Sequence, residues 1–284
     1  MFLLFINDLL EVISTGSTVR LFADDCVLYR RIRSTEDTNA LQDDLNSLQN
    51  WERDWLMEFH PEKCQVLHIS NKRNPLEYNY NIHGHILKEA ETSKYLGINL
   101  NRTLSWNNHI NTVAKKASNI SAFLQRNLHQ LPRKSKAQCY QTLVRPLVEY
   151  ACTIWDPHIK ENINKLKAVQ RRSARFVYND FRHTTSVTPM LNELNWTPLQ
   201  ERRAQYKVIM MYRIVHGLVD IPITHLTPQA TSVRGHMYRH KIPFARTLIY
   251  QRSFFPDTIR IWNNLPAQIV EQSPSANMIP AVFN

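Results

Sequence analysis

The spacing of apolar residues changes along the chain and predicts a mixed α/β part followed by a helical part. Residues 19–30, VRLFADDCVLYR, contain two short apolar runs around an acidic turn, which is typical of a β-hairpin. Further apolar runs at 65–69, 78–87 and 95–100 predict strands. A helix is predicted over 36–56 by apolar residues three or four positions apart: Leu41, Leu45, Leu48, Trp51 and Trp55.

After Trp106 the apolar spacing is almost wholly helical. Helices are predicted from Ile110 to Leu128, from about Lys134 to Pro146, from about Glu161 to Tyr178, and from Pro198 to Gly217. The tail from residue 218 is rich in proline, and we expect irregular segments there. The sequence thus predicts an α+β fold in three parts: a mixed part over 1–103, a helical domain over 104–217 and an irregular segment over 218–284.

Composition excludes several classes of protein. The chain has 284 residues, of which 43% are hydrophobic and only five are glycine. No two glycines have the spacing of a dinucleotide-binding motif or a P-loop, and the four cysteines form no C-x-x-C pair that would indicate a zinc ribbon. The opening run MFLLFI is too short for a signal peptide, and no run approaches the roughly twenty apolar residues of a membrane helix. We therefore expect an intracellular protein, in the cytoplasm or the nucleus, with no membrane partner.

The uneven distribution of charge indicates a kind of partner. The formal net charge is +11. Residues 1–60 carry 11 acidic and 5 basic residues, whereas the rest of the chain carries 13 acidic and 30 basic residues. Such a basic excess is typical of proteins that bind a polyanion, and nucleic acid is the simplest candidate. The alternative is a basic surface that binds no partner.

Two adjacent aspartates, Asp24 and Asp25, stand at the turn of the predicted hairpin. Like charges this close repel each other, so each carboxylate favours a nearby cation or a proton. Carboxylate oxygens are ligands that Mg²⁺ prefers, and two such ions can stabilise the attacking and leaving oxygens of phosphoryl transfer. Taken alone, such a pair is more often an ordinary solvated turn, and the surrounding sequence decides between the two interpretations.

The residues around this pair resemble one family. LFADDCVLY at 21–29 resembles the F/Y-A-D-D box of reverse transcriptases. FINDLL at 5–10 resembles the stretch that precedes this box in non-LTR retrotransposons of the jockey-like and CR1-like groups. Similarity to later parts of the same polymerases continues in the segments NWERDWLMEFHPEKCQVLHIS, YLGINL, LVRPLVEYACTIWDP, INKLKAVQRRSARFV and SFFPDTIRIWNNLP. The resemblance covers nearly the whole chain and implies a partial reverse-transcriptase palm followed by a helical thumb and C-terminal region.

The resemblance implies roles for individual residues. Asp24 and Asp25 would be the catalytic, metal-binding carboxylates of an RNA-directed DNA polymerase, and Lys63 would protonate or steady the leaving pyrophosphate. Tyr95 and Gly97 fall in the segment that helps to hold the primer end. The implied cofactor is Mg²⁺. The implied partners are an RNA template, RNA/DNA duplex and dNTP, and no further small-molecule cofactor is expected.

The family's palm also has an earlier aspartate strand and a glycine-rich segment, which precede the FINDLL stretch. Because the sequence opens at FINDLL, we expect Mg²⁺ binding to be weak or absent and the chain not to polymerise by itself. Two alternatives remain open. The chain is either a fragment of a polymerase or a non-catalytic remnant that binds nucleic acid. A Mg²⁺ nuclease would need further acids, for which Glu58 and Glu62 are the nearby candidates.

The helical part carries most of the basic residues. Between residues 115 and 183 there are 14 basic and 4 acidic residues. Five cations lie mostly off the apolar stripe of the third helix predicted after Trp106: Lys165, Lys167, Arg171, Arg172 and Arg175. One face of this helix can then meet phosphates while the other packs, and such binding is salt-sensitive. The resemblance to a thumb implies that this face binds the template–primer duplex, and the alternative is a solvated basic face.

Overall fold

The computed structural model describes residues 6–229 and 235–271, which form an α+β protein. These residues divide between Ser105 and Trp106 into two compact units, each with a hydrophobic core of its own. Phe5 of the FINDLL stretch, and residues 230–234 and 272–284 of the expected tail, lie outside the described residues. The assignment of the two units to a palm and a thumb stays a prediction.

The first unit contains four strand pairs and one long helix, α1 (Thr35–Asp54). Two short 3₁₀ turns, Asn7–Leu10 and Pro61–Lys63, complete it. Its strands are β1 (Ser17–Phe22), β2 (Asp25–Arg30), β3 (Gln65–Val66), β4 (Asn81–Ile82), β5 (His85–Ile86), β6 (Lys88–Glu89), β7 (Thr92–Tyr95) and β8 (Ile98–Asn101). β1–β2, β4–β5 and β7–β8 are antiparallel hairpins, and β3 pairs with β6 in parallel.

Helix α1 confirms the prediction over 36–56 and organises the first unit. The side chain of Asp37 accepts a hydrogen bond from the backbone N–H of Ser34 at 3.3 Å, which satisfies one donor at the start of the helix. The buried apolar face of α1 packs in the core against Leu9 and Val19. From the same helix, the amide of Gln42 exchanges two hydrogen bonds with the backbone of Asn81, at 2.9 and 3.0 Å. Packing and polar contacts thus hold β4 against α1.

The strands predicted over 78–87 and 95–100 are in fact hairpins with two-residue loops. His83 and Gly84 form one loop, with φ of 52° and 73°, and Leu96 and Gly97 form the other, with φ of 44° and 82°. Two successive positive φ values match the right-handed twist of paired strands, and glycine adopts the second without a steric penalty. Each of the two predicted strands therefore contains a turn, which the alternation of apolar residues does not reveal. The strand predicted over 65–69 is only two residues long.

The second unit is helical. Its helices are α2 (Asn107–Asn127), α3 (Arg133–Cys139), α4 (Arg145–Glu149), α5 (Cys152–Trp155), α6 (Lys160–Tyr178), α7 (Thr188–Glu193), α8 (Leu199–Val215), α9 (Leu248–Gln251), α10 (Phe254–Trp262) and α11 (Ala267–Val270), with a 3₁₀ turn at Ile223–His225. The helix predicted from 134 to 146 is interrupted by one π-helical segment, Tyr140–Val144. Pro146 is the physical reason, because its ring clashes with the carbonyl four residues earlier in a regular helix.

Two clusters form the core of the second unit. One joins α2, α3, α6 and α7 around Trp155 and Leu166, both fully buried. The other joins the second half of α8 to Ile259 and Trp262 of α10. The expectation of an irregular segment after residue 218 is thus wrong for α10, in which Pro256 occupies the first turn, where a missing N–H is tolerated. Within the described residues, no helix is both long and apolar enough to cross a membrane.

Candidate active site and nucleic-acid interface

The β1–β2 hairpin presents the predicted aspartates at its tip. Phe22 pairs with Asp25, so Ala23 and Asp24 form the two-residue loop. Ala23 has φ of 53°, a backbone conformation in which the Cβ of alanine is sterically crowded. Asp24 and Asp25 are both exposed. The local fold therefore places two neighbouring carboxylates in solvent at the end of a hairpin.

Asp44 of α1, which contacts the base of this hairpin, has different surroundings from the two aspartates at the tip. Asp44 is buried, and it accepts hydrogen bonds from the backbone N–H of Ser14 at 2.7 Å and from the hydroxyl of Ser17. In contrast, neither Asp24 nor Asp25 has a side-chain hydrogen bond or ion pair with any residue in 6–229 or 235–271. The carboxylates at the tip are therefore available to a ligand, whereas Asp44 fixes the hairpin to α1.

Three of the other predicted residues lie in the same unit: Lys63, Tyr95 and Gly97. Burial raises the pKa of the half-buried Tyr95, and the charge of the Asp25 carboxylate raises it further. Gly97 is exposed in the loop of the β7–β8 hairpin, two residues after Tyr95. Tyr95 thus interacts electrostatically with Asp25, and Gly97 occupies a turn position with a φ of 82°.

Lys63 precedes a cysteine that interacts electrostatically with the hairpin. It ends the 3₁₀ turn Pro61–Lys63 and is exposed. The next residue, Cys64, lies near Cys26, which follows Asp25 in β2. Desolvation of the sulfur, and after it the Cys64 thiol, raise the pKa of Cys26 to about 11. Across the described ranges, no cluster of three or more His, Cys, Asp or Glu side chains could hold a metal ion.

The five predicted cations of α6 fall into three environments. Lys167 and Arg171 are exposed and lie one helical turn apart on the outer side. Lys165 and Arg172 lie on the side facing α2, where Lys165 Nζ donates to Asn111 Oδ1 at 2.8 Å and Arg172 Nη2 donates to Ser118 Oγ at 3.0 Å. These two contacts connect α2 and α6, and their residue numbers rise together along the two helices. Sequence reasoning missed Asn111 and Ser118, because only the pairing of the two helices shows that they orient cations.

Arg175 is bound by the protein's own backbone. Its guanidinium donates to the backbone carbonyls of Asp180, Arg182 and Thr185, with the Thr185 contact at 2.9 Å. Arg175 therefore braces the loop that follows α6. The prediction that it contacts nucleic acid has no support in this geometry, since three carbonyls already occupy its donors.

Comparison with known proteins identifies the relatives of this chain. Residues 1–100 match the family described as reverse transcriptase (RNA-dependent DNA polymerase). The chain is 24% identical over 170 residues to the RNA-directed DNA polymerase from mobile element jockey of Drosophila melanogaster, which covers 58% of this chain and 18% of that protein. It is 26% identical over 194 residues to the probable RNA-directed DNA polymerase from transposon BS of the same species, which covers 65% of this chain and 21% of that protein.

The chain spans about a fifth of the length of these curated relatives. No solved structure matches it. The first unit, which exposes adjacent carboxylates on a hairpin, is thus similar over residues 1–100 to the reverse transcriptase (RNA-dependent DNA polymerase) family. More particularly, the chain is related to the RNA-directed DNA polymerases of non-LTR retrotransposons. The resemblance stated from the sequence is therefore confirmed, while the positions of the F-A-D-D box and the thumb stay predictions.

Proposed function

We propose that this chain contributes the metal-binding carboxylates and part of the duplex-binding surface to an RNA-directed DNA polymerase. The observation that carries the proposal is the Asp24–Asp25 tip, which is exposed and has no side-chain partner among the described residues. Asp44 is in contrast buried, and it accepts hydrogen bonds from Ser14 and Ser17 at the base of the hairpin. The electrostatic interaction of Tyr95 with Asp25 supports a role for the β7–β8 hairpin at the same place.

The tip residues fit a divalent cation such as Mg²⁺. Carboxylate oxygens are its preferred donors, and a solvent-exposed site lets the ion keep several of its waters. When bound, Mg²⁺ would stabilise negative charge on the reacting phosphoryl oxygens. The role of Asp24 and Asp25 is then to hold the ion at a fixed place, and the role of the hairpin is to fix both carboxylates relative to α1.

The contacts between α2 and α6 support nucleic acid as the partner of the second unit. Asn111 and Ser118 orient Lys165 and Arg172 without neutralising them, since an amide and a hydroxyl carry no charge. Lys165 also pairs with Glu161 at 2.7 Å, but that carboxylate is 74% exposed and the pair is screened by water. Together with Lys167 and Arg171 on the outer side, these cations give α6 a basic surface on two sides of the helix that would bind phosphates without reading sequence.

A salt series tests the duplex-binding part. Replacing Lys167, Arg171 and Arg172 with glutamine should weaken binding to an RNA/DNA duplex and lower the slope of log K against log salt by roughly 2–3, since each lost phosphate contact lowers it by about 0.9. The control replaces three exposed cations of the first unit with glutamine: Lys72, Arg73 and Lys94. Equal losses in both variants would show that only net charge matters and would contradict the proposed surface.

Primer extension on an RNA template tests the carboxylates. In Mg²⁺ we expect this chain to bind primer–template without extending it, as the sequence predicts. Extension that disappears in Asp24→Asn and persists in the exposed control Asp43→Asn would support the carboxylate role and refute the predicted inactivity. Extension that survives in Asp24→Asn would refute the proposed active site.

The second candidate is a non-catalytic protein that binds nucleic acid through the second unit. The cations of α6 that Asn111 and Ser118 orient favour this second candidate, because they need no metal to bind phosphates. The two candidates differ in whether nucleic-acid binding depends on Asp24, Asp25 and Mg²⁺. If it is correct, substitution of Asp24 and Asp25 leaves binding unchanged at every Mg²⁺ concentration.

A further inference from the structure

The loop that follows α6 is built in a defined shape. Helix α6 ends at Asn179, which has φ of 54°, and Arg175 then holds the loop through the carbonyls of Asp180, Arg182 and Thr185. The carboxylate of Asp180 accepts from Arg182 Nε at 3.0 Å and from Nη2 at 2.9 Å. This bidentate pair lowers the pKa of Asp180 and fixes the plane of the Arg182 guanidinium. Between the two fixed residues, Phe181 is left pointing into solvent, with 55% of its surface exposed.

A cavity of about 430 Å³ opens beside this loop. It is lined by Asn179, Asp180, Phe181 and Arg182 from the loop, by Arg133 and Tyr178 from α3 and α6, and by Met190 from α7, and the Asp180 carboxylate is already paired with Arg182. The guanidinium of Arg133 lies 4.5 Å from the centroid of the Tyr178 ring, and the Tyr178 hydroxyl donates to Glu193 at 2.6 Å. The cavity therefore combines one exposed aromatic ring with two oriented guanidinium groups.

We propose that this cavity binds one unpaired nucleotide of a single strand. The base would stack on Phe181, and Arg133 and Arg182 would contact the flanking phosphates. Aromatic rings bind every base through its π-face, and arginine adds both charge and stacking. The cavity volume lies in the range of sites for small organic ligands. An exposed aromatic ring between cations also fits the basic excess of residues 115–183 better than it fits an apolar partner.

The inference rests on the proposed function for its class of partner, nucleic acid. It names a separate site, however, because the cavity lies at the C-terminal end of α6, and Lys165 and Arg172 lie along its length. The two sites also differ in what they recognise. The basic surface of α6 follows a phosphate backbone and tolerates paired bases, whereas stacking on Phe181 requires a base that is free of its partner strand.

The test compares single-stranded and duplex oligonucleotides of equal length by fluorescence anisotropy. Phe181→Ala should weaken binding of a labelled oligo(dT) about fivefold to a hundredfold, the effect of losing one stacked base, and leave duplex binding unchanged. Phe181→Tyr should restore the binding. Phe123→Ala is the matched control, because Phe123 belongs to the same unit and is 56% exposed. Equal thermal unfolding midpoints confirm that each variant is folded.

A second measurement reports the stack directly. In a Phe181→Trp variant, addition of oligo(dT) should quench fluorescence relative to the unsubstituted chain, and duplex should not. Unchanged single-strand affinity in Phe181→Ala, or an equal loss on duplex, would overturn the inference. An acidic peptide that competes as well as oligo(dT) would also overturn it. If the α6 surface fails to bind duplex, the oligo(dT) measurements still decide on the cavity, so the two proposals fail separately.

Discussion

Lys207 is the centre of a buried cluster of charges that joins α8 to two distant segments. Its Nζ lies 2.7 Å from Asp257 Oδ2 of α10 and also binds Asp156, which follows α5. Asp156 accepts from Arg203 Nε at 2.6 Å, and the side chain of Lys207 is only 3% exposed. Replacement of Lys207 with methionine preserves the length of the side chain but removes the charge that both carboxylates share.

The expected cost follows from what each carboxylate retains. Removing one partner of a buried ion pair costs about 3–5 kcal/mol, because a buried charge is left uncompensated. Asp156 keeps Arg203, and Asp257 keeps Arg252 at 3.3 Å, so we expect the lower end, about 3 kcal/mol. For a unit of this size, that corresponds to a fall of roughly 6–12 °C in the unfolding midpoint.

Circular dichroism at 222 nm during heating measures this midpoint. Lys167→Met is the matched control, since Lys167 lies exposed on the same unit, and an exposed substitution of this kind changes stability by about 0.5 kcal/mol or less. The control should lower the midpoint by no more than about 2 °C. If Lys207→Met changes the midpoint as little as the control does, the cluster does not stabilise the second unit and the reasoning is refuted.

Three further predictions concern the loops and the buried histidine. Gly97→Ala should destabilise the first unit by about 1–2 kcal/mol in urea unfolding, because φ of 82° crowds a Cβ; an unchanged midpoint would contradict the turn. Arg175→Lys should speed amide hydrogen exchange in the loop over 180–185, since lysine cannot reach three carbonyls, and unchanged exchange would show that Arg175 does not brace it. Burial lowers the pKa of His109 below its ordinary 6.5, so the unfolded chain takes up the proton first and stability falls as the pH drops below about 6.5. His109→Phe should flatten this pH dependence of the unfolding midpoint, and an unaltered slope would exclude His109 as its source.

The helices were predictable because their evidence is local. Leu45, Leu48 and Trp51 are spaced for one face of α1, and they are buried as that spacing requires. The turns were harder to predict from the sequence, because Leu96 and Gly97 reverse the chain inside a run whose apolar alternation continues before and after them. Gly97 was the available signal, because glycine adopts the positive φ that the second residue of a two-residue loop requires.

The residues of the candidate site also differ in whether the sequence alone predicts their environment. The tip of the hairpin was predictable, because Asp24 and Asp25 interrupt two apolar runs. Arg175 was assigned to the charged face from its position off the apolar stripe, but its partners come from a loop whose shape no spacing reveals. The Lys207 cluster joins residues about fifty positions apart, and a sequence contains no signal for such pairs before the fold is known.

The most direct test of the central proposal is metal-directed cleavage of a bound primer–template. Fe²⁺ can replace Mg²⁺ on carboxylate ligands, and with peroxide it generates radicals that cut nucleic acid nearby. If the hairpin tip holds the metal at the primer end, the unsubstituted chain should direct cleavage there. The double variant Asp24→Asn, Asp25→Asn should abolish it, and Asp43→Asn should not. Cleavage that persists in the double variant, or that never concentrates at the primer end, would contradict the assignment of these carboxylates to a polymerase site.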